Sequence, residues 1–199
     1  EFLATSPSAT VPCLQLPDRV IDESLDIMIW ALQRSDPMGW LDMPEDGYSL
    51  IGTADGPFKQ ALDRVKYANR HPDQDPELNR AKAHQFLHHL NDQLQQGYLF
   101  GTRPCLADMA ILPFVRQFAF VDKPRFDAED WPQLATWLNH FLQSPRFLAI
   151  MPKYATWQAG DTPLLFPSAE LGRSAAQDHS DTTMEREAGN APQSDLPPG

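Results

Sequence analysis

Four residues near the start of the chain have the types and spacing to bind a small peptide. Val11 precedes Pro12, and Glu23 and Ser24 follow after a segment long enough for a strand, a turn and a returning strand. An X-Pro bond can be cis, which turns the neighbouring backbone groups outward, so an extended ligand could pair with Val11 as an added strand. Ser24 and a helix N-terminus suit a carboxylate, and Glu23 suits an ammonium group. The pattern predicts a site for a peptide-like ligand with an α-amino acid end; a hairpin with an ordinary helix cap is the alternative.

A second group surrounds a glycine-containing loop that enters a strongly apolar segment. Asp108 follows Cys105 by three residues, which is the spacing of a helix capping box. In that motif the fourth side chain bonds back to the N–H of the cap residue. The spacing therefore predicts that Asp108 is a structural carboxylate at a helix start and not a catalytic acid.

The remaining candidates for chemistry are weaker. His84 and His88 are four residues apart, a spacing that can hold a metal ion on a helix. Leu87 and Leu90 define the buried face, so the histidines are expected on the solvated face, with no acid or cysteine nearby to complete a ligand set. We therefore predict no metal site. The two cysteines, Cys13 and Cys105, are predicted to be reduced thiols, since their spacing fits neither a zinc site nor a disulfide framework.

The elements that would position these residues change character along the chain. Residues 1–34 predict a hairpin followed by a helix that is apolar on most sides and is therefore expected to be sandwiched. Residues 35–56, with four glycines, predict a linker with little regular structure. Residues 57–166 predict an all-helical domain, with Pro57 at a first helical position. The apolar positions that define its helices include Phe58, Ala61, Leu62, Val65, Ala83, Leu87, Leu90, Leu94, Leu134, Trp137, Leu138 and Phe141.

Composition excludes several classes of partner. Lysine plus arginine number 16 against 27 aspartate plus glutamate, so the formal net charge is −11. This charge argues against nucleic acid and against an anionic membrane surface as partners. The longest apolar run, residues 109–115, is too short to span a membrane, and no signal peptide is recognised, so a cytoplasmic location is expected. Residues 167–199 are rich in polar residues and predict a disordered tail.

Taken together and in order, these motifs resemble the soluble glutathione transferases over residues 2–152. The resemblance implies a fold of mixed class: an α/β, thioredoxin-like domain, here represented by its C-terminal hairpin and helix, followed by an all-α domain. It implies that Val11 and a cis Pro12 pair with the cysteinyl unit of glutathione, and that Glu23 and Ser24 hold the γ-glutamyl end. The motifs that carry the resemblance are Thr10-Val11-Pro12, Glu23-Ser24-Leu25-Asp26-Ile27-Met28 and residues 103–114.

The resemblance also sets expectations for activity. It implies that glutathione is a co-substrate and that its thiolate is transferred to a small electrophile, a reaction that serves detoxification. It also implies a homodimer. Family members begin with a strand, a helix and a second strand that carry the thiol-activating residue, and this sequence begins after them. We therefore expect the catalytic residue to lie outside this chain, which alone should be inactive. The alternative is a non-catalytic, glutathione transferase-like module for protein interaction. The cap position holds Cys105 where the family usually has serine or threonine, which predicts a weaker cap.

Overall fold

The computed structural model of the chain describes residue 6, residues 8–156 and residues 158–162. The chain divides into two compact units, residues 1–143 and residues 144–199. In the second unit, the described part contains one short helix, Pro145–Ile150, which begins after a cap in which Ser144 Oγ accepts from the N–H of Phe147 at 3.2 Å. The disordered tail predicted for residues 167–199 lies outside the described residues.

The first unit begins with the predicted hairpin. Strands β1 (Leu14–Gln15) and β2 (Val20–Ile21) pair antiparallel, with Leu14 opposite Ile21 and Gln15 opposite Val20. The N–H of Leu16 donates to the carbonyl of Arg19 at 2.8 Å and closes the turn. The Val11–Pro12 peptide bond just before β1 is cis.

Helix α1 (Ser24–Leu32) follows the hairpin directly. Its sequence is apolar on most sides, yet none of its residues is buried by the part of the chain that the structure describes. The described residues therefore do not sandwich this helix. The physical reason is the size of the sheet, because two strands of two residues each are too small to cover even one face of a nine-residue helix.

The segment predicted to be an irregular linker contains a helix. Helix α2 (Asp46–Thr53) continues through a π-helical turn (Ala54–Phe58) into helix α3 (Lys59–Lys66). The glycines of this segment suggested a loop, but Leu50, Ile51, Ala54 and Phe58 are buried, and burial of such residues overrides a weak local propensity. Pro57 lies inside the π turn and not at a helix start, so that prediction is also wrong. A π turn is a rare local widening of a helix.

The rest of the first unit is the predicted helical core. Its helices are α4 (Pro76–Gln93), α5 (Leu106–Ala119), the short α6 (Lys123–Asp127) and α7 (Pro132–Gln143). Short 3₁₀ turns follow α3 and α4, at Ala68–Arg70 and Leu94–Gln96. The apolar positions predicted to face the core of the domain, from Phe58 to Phe141, are all buried. No helix among the described residues has both the length and the apolar character needed to cross a membrane.

Candidate functional site

The hairpin places the two halves of the predicted peptide site at one end. In the antiparallel pairing, Leu14 lies opposite Ile21. The two segments that leave this pair, toward Pro12 and Val11 on one side and toward Glu23 and Ser24 on the other, both lie at the open end of the hairpin. Paired strands lie roughly 4.8 Å apart. A single extended ligand at the open end of the hairpin is therefore long enough to contact both halves.

Side-chain hydrogen bonds hold this open end together. The backbone N–H of Ser8 donates to Asp22 Oδ2 at 3.1 Å, and the hydroxyls of Ser8 and Thr10 lie 2.6 Å apart. These contacts tie the segment before Val11 to the residue before Glu23. The side chain of Val11 is 79 % exposed, and Glu23 and Ser24 are also exposed. The candidate residues are accordingly accessible from solvent.

The start of α1 provides both kinds of polar group that an α-amino acid needs. Glu23 is the N-cap residue with an extended backbone, and its side chain makes no capping bond. The first N–H groups of a helix have no acceptor within the helix and present a partial positive charge, which suits a carboxylate. Asp22, Glu23 and Asp26 bring negative charge to the same turn, which suits an ammonium group. The arrangement can therefore hold a zwitterionic end with its two charges on separate partners.

A cavity of about 340 Å³ lies on the hairpin and α1, but it is not formed by the four candidate residues. Its lining includes Ile21, Asp22 and Trp30. The four candidate residues thus lie on the exposed surface at the open end of the hairpin, and Asp22, which lines the cavity, precedes Glu23 in the chain.

Asp108 occupies the capping position predicted for it and has no exposed surface. Its Oδ2 accepts from the N–H of Cys105 at 3.0 Å and from the Cys105 thiol at 3.3 Å. Its Oδ1 accepts from the N–H of Leu99 at 3.1 Å and from Trp137 Nε1 at 2.8 Å. The carboxylate therefore joins the loop before α5, the start of α5 and helix α7. With these donors it acts as a structural group.

The two titratable groups of the capping box both have raised pKa values. Burial raises the pKa of Asp108, although its hydrogen bonds act in the opposite direction. Burial, together with the nearby Asp108 charge, raises the pKa of the Cys105 thiol to about 11. Because the thiolate is the reactive form, Cys105 is a poor nucleophile at neutral pH.

The structure corrects the prediction for the histidine pair on α4. His84 and His88 were expected to lack a third ligand, but Glu129 lies beside them, with its Oε1 3.8 Å from His84 Nδ1. His84 is also half-buried, and burial lowers its pKa. Glu129 follows α6 and is far from the histidines in sequence, so spacing alone could not reveal it. The prediction that no acid completes the set is therefore wrong.

Comparison with known proteins places the helical part of the chain. Residues 59–140 match the family model described as glutathione S-transferase, C-terminal domain. No curated protein sequence matches the chain significantly.

Solved structures resemble the chain at low sequence identity. A glutathione S-transferase from Rhodospirillum rubrum F11 aligns with a TM-score of 0.63 and 20 % identity, covering 78 % of this chain and 76 % of that one. Glutathione transferase F7 from Populus trichocarpa gives 0.59 and 19 %, covering 74 % and 76 %. A glutathione S-transferase from Methylobacterium radiotolerans, solved in complex with glutathione sulfonate, gives 0.56 and 19 %, covering 82 % and 81 %. These similarities confirm the predicted fold class.

Proposed function

We propose, from the premise that this chain contains a glutathione S-transferase C-terminal domain at residues 59–140, that it binds glutathione through its hairpin and α1. The observation that carries the proposal is the hairpin register, which brings Val11 and Pro12 to the same end as Glu23 and Ser24. Glutathione is a peptide-like molecule that has an α-amino acid group at its γ-glutamyl end. Its extended backbone matches a strand-like partner, and its zwitterionic end matches the start of α1.

Each candidate residue has a separate role in this proposal. The main chain of Val11 pairs with the cysteinyl unit in the manner of an added strand. The Glu23 carboxylate receives the ammonium group, and the Ser24 hydroxyl with the first N–H groups of α1 receives the carboxylate. The thiol then lies beside the open end of the hairpin.

We propose that the full-length protein transfers the glutathione thiolate to an electrophile. The thiol loses its proton to solvent, the sulfur forms a new bond to an electrophilic carbon, and the leaving group departs with the electron pair of the bond that breaks. A donor that stabilises the thiolate is needed for this step at neutral pH. We assign no such donor among the described residues, and we expect little or no transfer by this chain alone. A cytoplasmic location and a homodimer complete the proposal.

Binding of reduced glutathione to the 199-residue chain, measured by isothermal titration calorimetry, tests the site. Ser24→Ala and Glu23→Gln should each weaken binding by about tenfold or more, because each removes one hydrogen bond to a charged group of the ligand. Matched controls exist on the same elements: Asp18→Asn changes an exposed acid of the hairpin turn, and Ser35→Ala changes an exposed serine after α1. Both controls should bind like the parent chain.

Two results would redirect the proposal. Equal binding by the parent chain, Ser24→Ala and Glu23→Gln would place glutathione elsewhere. The absence of any binding would favour the alternative function, a non-catalytic module that interacts with other proteins. Conjugation of glutathione to an aryl halide, followed by absorbance, is expected to stay at the uncatalysed rate. A rate above it that depends on Glu23 would place the thiol-activating group within this chain.

A further inference from the structure

Three side chains of types that can bind a metal ion converge in the helical domain, on elements other than those of the proposed glutathione site. One ring nitrogen each of His84 and His88 and one carboxylate oxygen of Glu129 lie within 4.8 Å of one another. The two histidines are one helical turn apart on α4, and Glu129 belongs to the turn between α6 and α7. Two distant parts of the sequence thus supply one cluster.

A buried tryptophan packs against both histidines and belongs to the same turn as Glu129. The ring of Trp131 lies 5.1 Å from the ring of His84 and 5.4 Å from that of His88, measured between centroids. Trp131 is itself held in the core by a hydrogen bond from its Nε1 to the carbonyl of Phe126 at 2.9 Å. Its backbone N–H donates to the carbonyl of Glu129 at 3.1 Å. The turn that places Trp131 against the histidines therefore also places Glu129 beside them.

The spacing of the ligand atoms fits a small ion after a modest closure. Zinc bonds to nitrogen and oxygen are about 2.0–2.2 Å long, so a tetrahedral ion holds its ligand atoms roughly 3.3–3.6 Å apart. The cluster must contract by about 1 Å from its outer limit. His88 is exposed and Glu129 is half-buried, so rotation of these two side chains can supply the movement. The half-buried His84 is the fixed member.

The charges around the cluster determine which ions it can take. Arg80 and Arg125 are close enough to act on His84, but both are engaged by Glu77, whose carboxylate binds Arg125 at 2.6 and 2.9 Å. Glu129 is then the single acid among the three ligands. Two neutral imidazoles and one carboxylate suit Zn²⁺, Ni²⁺ or Cu²⁺, whereas Ca²⁺ and Mg²⁺ need several oxygen ligands.

We propose that His84, His88 and Glu129 bind one divalent transition-metal ion, with water completing the coordination. The ion would connect α4 to the turn before α7. The elements that carry this site are different from the hairpin and α1, which carry the proposed glutathione site.

Calorimetric titration of the untagged, full 199-residue chain with zinc chloride tests the proposal. The parent chain should bind one equivalent, and His88→Ala should weaken binding by about tenfold or more, because an exposed ligand is removed without disturbing the core. Glu129→Gln should also weaken binding, since the amide is a poorer ligand than the carboxylate. His89→Ala is the matched control: His89 is the next residue of the same helix, is exposed, and lies outside the cluster.

Further measurements separate a built site from adventitious surface binding. Titration with cobalt chloride should give visible absorption bands that His88→Ala abolishes and His89→Ala retains. Calcium and magnesium chlorides should give no comparable binding. The proposal is overturned if His88→Ala and His89→Ala bind zinc equally, if both lose it equally, or if calcium binds as tightly as zinc. Far-ultraviolet circular dichroism of each variant verifies that its fold is intact.

Discussion

Helices α1 and α5 are both rich in apolar residues and both carry an aspartate in the first turn, yet they differ in burial. Nine of the fourteen residues of α5 are buried, whereas no residue of α1 is buried by the described part of the chain. The difference lies in what surrounds each helix. Helix α5 contacts α2, α3 and α7, while α1 follows a hairpin of two-residue strands. Apolar composition thus permits burial, and neighbouring elements decide whether it occurs.

The two aspartates show the same difference at the level of single groups. Asp26 in α1 is exposed, whereas Asp108 in α5 has no exposed surface and accepts bonds from Leu99, Cys105 and Trp137. These donors come from separate segments of the helical domain. Asp108 therefore holds several segments in place, while Asp26 acts on its own helix through the dipole.

The largest expected effect comes from removing these two carboxylates in parallel. Asp108→Ala should lower the free energy of unfolding by about 3–5 kcal/mol, because it leaves buried N–H donors without an acceptor. Asp26→Ala should change it by less than about 1 kcal/mol. Urea denaturation followed by tryptophan fluorescence measures both.

Asp108→Asn sharpens this comparison. The amide keeps one acceptor oxygen but turns an NH₂ group toward donors, so most of the loss should remain. Equal destabilisation by Asp108→Ala and Asp26→Ala would contradict the distinction between the two helices.

The sequence predicted the periodic parts of this structure better than the irregular ones. The hairpin, the start of α5 at Cys105 and the buried stripe from Phe58 to Val65 follow from local patterns that depend on near neighbours. Helix α2 did not follow, because its glycines oppose a helix locally and only burial against the rest of the domain overrides them.

The candidate sites divide in the same way. The candidate residues before and after the hairpin could be chosen from spacing, and the capping box could be predicted from its three-residue interval. The proximity of Glu129 to His84 depends on how α4 meets the turn before α7, which no interval in the sequence encodes.

A smaller expected effect concerns the caps of the same two helices. Cys105→Ser should raise the free energy of unfolding by about 0.5–1 kcal/mol, because a hydroxyl is a stronger hydrogen-bonding group than a thiol at a helix N-cap. Glu23→Ser makes the equivalent change in α1, where the native side chain makes no capping bond. The α5 change should shift the midpoint of global unfolding, and the α1 change should leave it unaltered. A lower midpoint for Cys105→Ser would count against the cap.

The smallest expected effect tests whether contacts at the surface of the helical domain also contribute to its stability. Arg125 of α6 binds Glu77 of α4 through two hydrogen bonds, and this contact lowers the pKa of Glu77. A carboxyl with a lowered pKa in the folded state stabilises the fold above its unfolded pKa, near 4.5, and loses that contribution as the pH falls through the folded value. Glu77→Gln should therefore lower Tm slightly at neutral pH and have no effect in strong acid.

A double-mutant cycle with Arg125→Gln isolates this pair from the effect of Glu77 on the α4 dipole. Once Glu77 is replaced, Arg125→Gln should cost little more, and added salt should shrink the coupling, because both side chains are largely exposed. A coupling energy that stays unchanged in added salt and in acid would mean that the pair is shielded from solvent, as the hydrogen bonds of Asp108 are, and is not an exposed surface contact. The contacts that stabilise the helical domain would then include those made by α6 at its surface.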